Sequence, residues 1–123
     1  MKKALLIFFL ISGCQNNEAD SPELLTKDAQ QVGATSAVLE ADIKEIGPVR
    51  PINFGFLWDV QEDITIAAAS NKIISGSTSE PRTYSNKLDN LVPGTIYYYK
   101  SFAADAGYNH IYYGQMISFT TLP

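Results

Sequence analysis

Apolar and polar residues alternate in short runs from Leu24 onward. Across residues 36–43, Ala37, Leu39, Ala41 and Ile43 take every second position, and Ser36, Val38, Glu40 and Asp42 take the others. Successive side chains of a strand point to opposite faces, so this period predicts a strand with one buried and one wetter face. Residues 52–58 put Phe54, Phe56 and Trp58 on one face, and residues 96–103 and 112–121 are rich in β-branched and aromatic side chains, which suit a pleated surface. Shorter candidates at 24–32, 64–67 and 83–88 bring the expectation to about seven strands.

Turn chemistry separates these runs. Gly33 precedes the second strand, Gly47-Pro48 ends it, Ser75-Gly76-Ser77 breaks the middle of the chain, Pro93-Gly94 precedes the sixth strand and Asp105-Ala106-Gly107 follows it. The alanine-rich stretch 66–70 is long enough for one helical turn, and no long amphipathic helix stands out. Strand after strand at short spacing predicts an all-β fold, an antiparallel sandwich, with a closed barrel as the alternative.

The amino terminus has a different pattern. Lys2 and Lys3 precede an unbroken apolar run at 4–11, and Ser12-Gly13-Cys14 follows. That run is too short to span a hydrocarbon core, which takes about 20 residues in a helix, and it has the layout of a secretion signal. The stretch Leu10-Ile11-Ser12-Gly13-Cys14 resembles the bacterial lipobox, in which an aliphatic and two small residues precede the cysteine that accepts diacylglyceryl. The resemblance implies a lipoprotein: residues 1–13 are a signal peptide, Cys14 carries the lipid, and 14–23 form a polar tether ending near Pro22. One acyl chain binds a membrane only marginally and two or three make a durable anchor. An ordinary signal with a chance cysteine is the alternative. No Asp follows Cys14, which resembles outer-membrane sorting. The acids of the tether resemble export tags of some surface lipoproteins, with plain solubility as the alternative.

Composition narrows what residues 24–123 can be. A length of 123 residues with 46% hydrophobic composition fits one globular domain. Cys14 is the only cysteine, so no disulfide can form within the chain. Thirteen acids already outweigh nine bases, and Lys2 and Lys3 are lost with the signal, so the balance disfavours nucleic acid as a partner.

Several stretches, in order, carry a second resemblance. Ala34-Thr35-Ser36-Ala37-Val38 opens the second strand and Gly55-Phe56-Leu57-Trp58 lies in the third. Leu91-Val92-Pro93-Gly94-Thr95-Ile96-Tyr97 leads into the sixth, and Ile117-Ser118-Phe119-Thr120-Thr121 closes the last. Together they resemble the fibronectin type III superfamily, in a subtype frequent in bacterial surface lipoproteins, over about residues 24–121. The resemblance implies a seven-stranded immunoglobulin-like sandwich. It gives Tyr97 the tyrosine-corner role and makes Leu91 and Trp58 core residues. The chain departs from the subtype at Leu57, where a cysteine is common, and across 60–80.

Few residues offer chemistry. His110 is the single histidine, in the expected loop between the last two strands, and Cys14 is committed to lipid. A catalytic triad or a zinc site needs more partners than these. Asp59, Glu62 and Asp63 follow the third strand and could contribute oxygens to a Ca²⁺ site, with a solvated turn as the plainer account. No cofactor is implied. In the sixth strand Tyr97, Tyr99, Ser101 and Ala103 are expected to face inward, leaving Ile96, Tyr98, Lys100 and Phe102 outward. With Tyr108, His110, Tyr112 and Tyr113 at the neighbouring loop end, these outward aromatics suit a protein partner or a flat sugar. They also fit cross-strand pairs that only stabilise the sheet.

The expected function is therefore that of a lipid-anchored, non-catalytic interaction module of the cell envelope, at the outer membrane and surface-exposed in one arrangement. Tyr98, Phe102, Tyr108, His110 and Tyr112 are its candidate contacts with an envelope or host protein or a glycan. The alternative is a structural spacer without a ligand. Cys14→Ser is expected to abolish metabolic lipid labelling and to block signal removal while leaving the domain folded. Undiminished labelling of that variant would exclude the anchor.

Overall fold

The computed structural model describes residues 20–123, so Cys14 and the expected signal lie outside the described residues. Eight strands occur in that range: β1 (Glu23–Gln30), β2 (Ala37–Glu45), β3 (Ile52–Asp59), β4 (Asn71–Thr78), β5 (Arg82–Leu88), β6 (Ile96–Ala104), β7 (Ile111–Tyr113) and β8 (Ile117–Thr120). They form two antiparallel sheets, one ordered β1-β2-β5 and one ordered β4-β3-β6-β7, with β8 also paired to β6. The expected all-β sandwich is the fold found.

The alternation in β2 is realised in full, with Ala37, Leu39, Ala41 and Ile43 all buried. These residues meet Phe54 and Phe56 from β3, Tyr84 from β5, Tyr97 and Tyr99 from β6, and Phe119 from β8 in one core. Tyr84 sits at the centre, its ring centroid 4.6 Å from Phe54 and 4.8 Å from Phe56. Tyr97 stacks on Phe119 at 5.6 Å. Its hydroxyl accepts the Val92 N–H at 2.8 Å, which ties the loop between β5 and β6 to the core as a tyrosine corner does. Leu91 is buried beside it, and Trp58 is half-buried at the rim.

The strand count differs from seven because the last strand is broken. β7 pairs with residues 102–104 of β6 and β8 with residues 96–99, so both run along the same edge, one after the other. The break falls at Gly114, whose N–H donates to the Ser101 carbonyl at 2.9 Å. A Cβ at Gly114 would lie 2.2 Å from Ser101 Oγ and 2.5 Å from Thr26 Oγ1, so the chain presses its backbone against a buried hydroxyl pair.

The middle of the chain corrects two expectations. Residues 64–67 form no strand; they belong to a loop in which Thr65 O accepts from Ala68 N and Ala69 N, the single turn expected for the alanine-rich stretch. The fourth strand is Asn71–Thr78, and Ser75-Gly76-Ser77 lies inside it rather than breaking the chain. The period of two is hidden there because the register slips between Phe54 and Gly55 of β3, leaving Ser75 as the extra residue of a bulge.

Gly55 is the tightest point of that bulge. A Cβ there would lie 1.8 Å from the Ile73 carbonyl oxygen, a backbone atom that cannot swing away. Gly55→Ala is expected to cost about 3 kcal/mol, the upper range for overpacking, and to lower Tm by roughly 12 °C or more. Gly33→Ala, whose Cβ would meet the Ser36 hydroxyl at an ordinary 3.4 Å, is the control for thermal unfolding. Equal shifts for the two variants would count against the bulge.

Candidate functional site

The outer face of the larger sheet departs most from a bare two-sheet sandwich. Phe102 points outward, as the alternation along β6 requires, yet it is fully buried, and so is Leu57 on β3. Residues 60–70, between β3 and β4, fold over both and seal them with Ile64, which is 1% exposed. Ile66, Ala69, Tyr98 and Tyr108 pack around this small second core. Phe102 is therefore corrected from an exposed contact to a packing residue: a hydrophobic ring of that size on an outer face is worth covering, at about 25 cal/mol per Å² of apolar surface.

The covering loop is held at its ends and its middle. Asp59, nearly fully buried, accepts the Val60 N–H through Oδ1 at 2.7 Å and the Ser70 N–H through Oδ2 at 2.9 Å, so one carboxylate closes the loop. The Ile66 N–H donates to the Tyr113 hydroxyl at 3.0 Å. Hydrogen bonds from Ser70, reinforced by those from Val60 and Gln61, hold the Asp59 carboxyl below its usual range despite the opposing effect of burial. Of the acids weighed as calcium ligands against a solvated turn, Asp59 serves the backbone, whereas Glu62 and Asp63 are exposed. Among the described residues no group of three or more His, Cys, Asp or Glu side chains is placed to hold a metal ion.

One open strip on this face runs along the β6–β7–β8 edge. Ile96 is 51% exposed, Met116 43% and Tyr113 37%, with Tyr98 and Lys100 half-buried between them. The Lys100 ammonium stands 4.2 Å from the Tyr113 ring centroid, a cation–π contact. Desolvation among these neighbours lowers the Lys100 pKa, partly offset by Asp63.

The other candidates lie at the end of the sandwich where the β6–β7 loop turns. Asp105 organises that loop, accepting the Asn109 N–H at 2.8 Å and pairing with His110 Nδ1 at 2.9 Å. The His110 side chain is 71% exposed. Its hydrogen bond, the first of several, holds the Asp105 carboxyl below its usual range. Tyr112 borders a shallow cleft with Ile46, Ile52 and Pro22. Tyr108 has a positive φ of 57°, uncommon for a bulky residue. Its ring is turned onto the second core, and its hydroxyl is buried with no hydrogen-bond partner among the described residues.

The structure thus separates the five residues singled out as contacts. Tyr98 belongs to the outer strip, Phe102 and Tyr108 to the second core, and His110 and Tyr112 to the loop end. Ile96 was expected to face outward but not to be a contact, and Met116 went unremarked, because isolated apolar residues carry no signal in sequence. Tyr113 was visible as one more tyrosine, but its tie to a backbone group 47 residues away was not.

No protein-family model and no curated protein matches the chain. Solved structures do. The chain is similar to the sensor domain of the anti-sigma factor RsgI4 of Pseudobacteroides cellulosolvens, with 19% identity over 82% of this chain and 94% of that one and a TM-score of 0.58. It is also similar to the fibronectin type III domain of human fibronectin type III domain containing protein 3, with 16% identity over 88% and 90% of the two chains and a TM-score of 0.55. At such identities the likeness establishes the fold, a fibronectin type III-like β-sandwich, and function is a matter for the surfaces.

The Asp59 clasp has a definite pH dependence. Because its folded pKa is depressed, its contribution is complete above the unfolded value near 4 and is lost as pH falls through the lower folded value. Hydrogen exchange at Val60 and Ser70 is expected to accelerate below about pH 4 relative to the β2 amides. Asp59→Asn, which can offer only one carbonyl oxygen, is expected to show that fast exchange already at neutral pH. Its carboxyl-dependent step in acid should also disappear. An unchanged acid profile in the variant would remove Asp59 as the clasp.

Proposed function

We propose that this chain is a lipid-anchored, non-catalytic interaction module of the bacterial cell envelope, held at the outer membrane through Cys14. In this reading it contacts an envelope or host protein through the outer face of its larger sheet. The observation that carries the proposal is the exposed strip of Ile96, Tyr98, Lys100, Tyr113 and Met116 along one sheet edge. Aromatic rings and methionine around a single cation, ringed by polar residues such as Gln115 and Ser118, have the composition of protein-binding surfaces. The flanking aliphatic residues favour a protein over a glycan, since sugars stack on flat rings left open on one side.

Two further points support the non-catalytic part. The hydrogen-bonded side-chain partner of His110 is Asp105, and among the described residues no hydroxyl or thiol is hydrogen-bonded to that imidazole as an activated nucleophile would be. One of the similar folds serves as the sensor domain of an anti-sigma factor, which is in keeping with a non-catalytic role.

The test is affinity capture of the lipidated protein from detergent-solubilised envelope after cross-linking. One partner should be enriched reproducibly and fall about tenfold or more with Ile96→Asp combined with Met116→Asp, since central contacts cost roughly 2 kcal/mol when removed. Val92→Asp, at an exposed loop position that is not part of the strip, should leave recovery unchanged. Equal loss in both variants, or no partner in any condition, would favour the spacer.

A further inference from the structure

The chain enters the described fold at one pole, formed by the β2–β3 loop at 46–51 and the β6–β7 loop at 105–110. There Asp20 and Pro22 share the rim of a cleft with Pro48, Val49, His110 and Tyr112. Gly47 has a φ of 82°, and a Cβ on it would lie 3.1 Å from the Ser21 Cα, so the backbones are in close contact. The path of the chain is thus fixed to this pole as far as Asp20.

Chain geometry then limits how the domain can stand on a membrane. Asp20 is six residues beyond Cys14, and a chain advances at most about 3.6 Å per residue, so Cys14 lies within roughly 20 Å of the pole. β6 has nine residues and runs from the opposite pole to this one, a length of about 30 Å at ~3.3 Å each. A domain inverted on the bilayer would need a tether longer than the one available.

We propose that the pole bearing the β2–β3 and β6–β7 loops rests on the bilayer surface, with the tip Pro48-Val49-Arg50-Pro51 as its lipid contact. The proposal rests on the lipid anchor at Cys14. Val49 is 60% exposed at that tip and is flanked by exposed prolines that stiffen it. The Arg50 guanidinium is held by the Gly47 carbonyl at 3.0 Å and the Ser79 carbonyl at 3.4 Å, which keeps a cation beside the apolar tip. Asp20, Glu80 and Asp105 share this end of the molecule. The contact is therefore set by the tether and the apolar tip rather than by attraction to anionic lipid. In this orientation the outer strip faces sideways, parallel to the membrane plane and open to a neighbour in the same bilayer.

The experiment uses the full lipidated protein as V49C and V92C, each carrying one thiol for a nitroxide because Cys14, the only native cysteine, is blocked by lipid. Vesicles are phosphatidylcholine with a nickel-chelating headgroup lipid. Relaxation of the nitroxide by headgroup nickel should be several-fold stronger at position 49 than at position 92, at the far pole. Protein that floats with the vesicles but relaxes equally at both positions, or more at 92, overturns the orientation alone. Failure to float overturns the anchor, and the orientation with it. Shielding of position 49 by a co-purified protein would assign the loops to that protein and overturn the lipid contact.

Discussion

Burying a phenol without a hydrogen bond costs free energy, and in this fold two buried phenols that keep theirs tie one sheet to the other. Tyr84 rises from β5 in the smaller sheet and donates its hydroxyl to the Gly55 carbonyl of the larger sheet at 2.7 Å. Tyr99 rises from β6 in the larger sheet and donates to the Lys27 carbonyl of the smaller one. Between them Thr26 and Ser101 share a buried hydroxyl contact at 2.8 Å. Burial raises both phenols above their ordinary pKa, so they remain protonated donors at any physiological pH. Leaving any of these groups unpaired would cost about 1 to 3 kcal/mol. Hydrophobic contact alone would let the sheets slide, whereas donors from both sides fix their offset.

That offset dictates where backbone replaces side chain. Gly55 presents its carbonyl to Tyr84 at the same point where the backbone of β4 comes so close that it leaves no room for a Cβ. Gly114 lies over the Thr26–Ser101 pair, and the last strand divides there because its backbone must bend inward to cover two hydroxyls. The bend also releases Gln115, whose Oε1 accepts the Thr26 N–H at 3.1 Å and secures β1 against the broken edge. A division that looks like a defect in the last strand is the closure of the interior.

Much of this was legible in the alternation of residues, and the losses have physical causes. The strands that carry the core, β2, β3 and β6, read clearly because each has one dry face, and a dry face leaves a period of two. β4 did not: it is an edge strand with adjacent isoleucines at 73 and 74 and a bulge at Ser75, which together erase the period. Conversely, Ile64 and Ile66 looked like a strand because they alternate, although what they share is contact with the second core. The outward direction of Phe102 followed from the pattern, but its burial did not, because the cover comes from a segment some 40 residues earlier. Of the exposed strip, the outward direction of Ile96, Tyr98 and Lys100 and the place of Tyr113 at the loop end were foreseeable, but not that they lie side by side with Met116. They are ordinary surface residues until the sheet gathers them.

The covered and uncovered halves of the outer face suggest how the surface was divided. A bare face carrying Leu57, Phe102, Tyr98, Tyr108, Tyr113 and Ile96 would be a large contiguous apolar patch, of the kind soluble domains seldom leave exposed. The 60–70 loop removes half of it at the cost of ordering a segment that needs a buried carboxylate to close it. It stops at Tyr113, whose hydroxyl it uses and whose ring it leaves open to Lys100 and solvent. If the only pressure were solubility, extending the loop over Ile96 and Met116 would serve better than ending there. On the proposed reading the remaining strip is kept for contact, and the same tyrosine is both hinge post for the cover and rim of that surface.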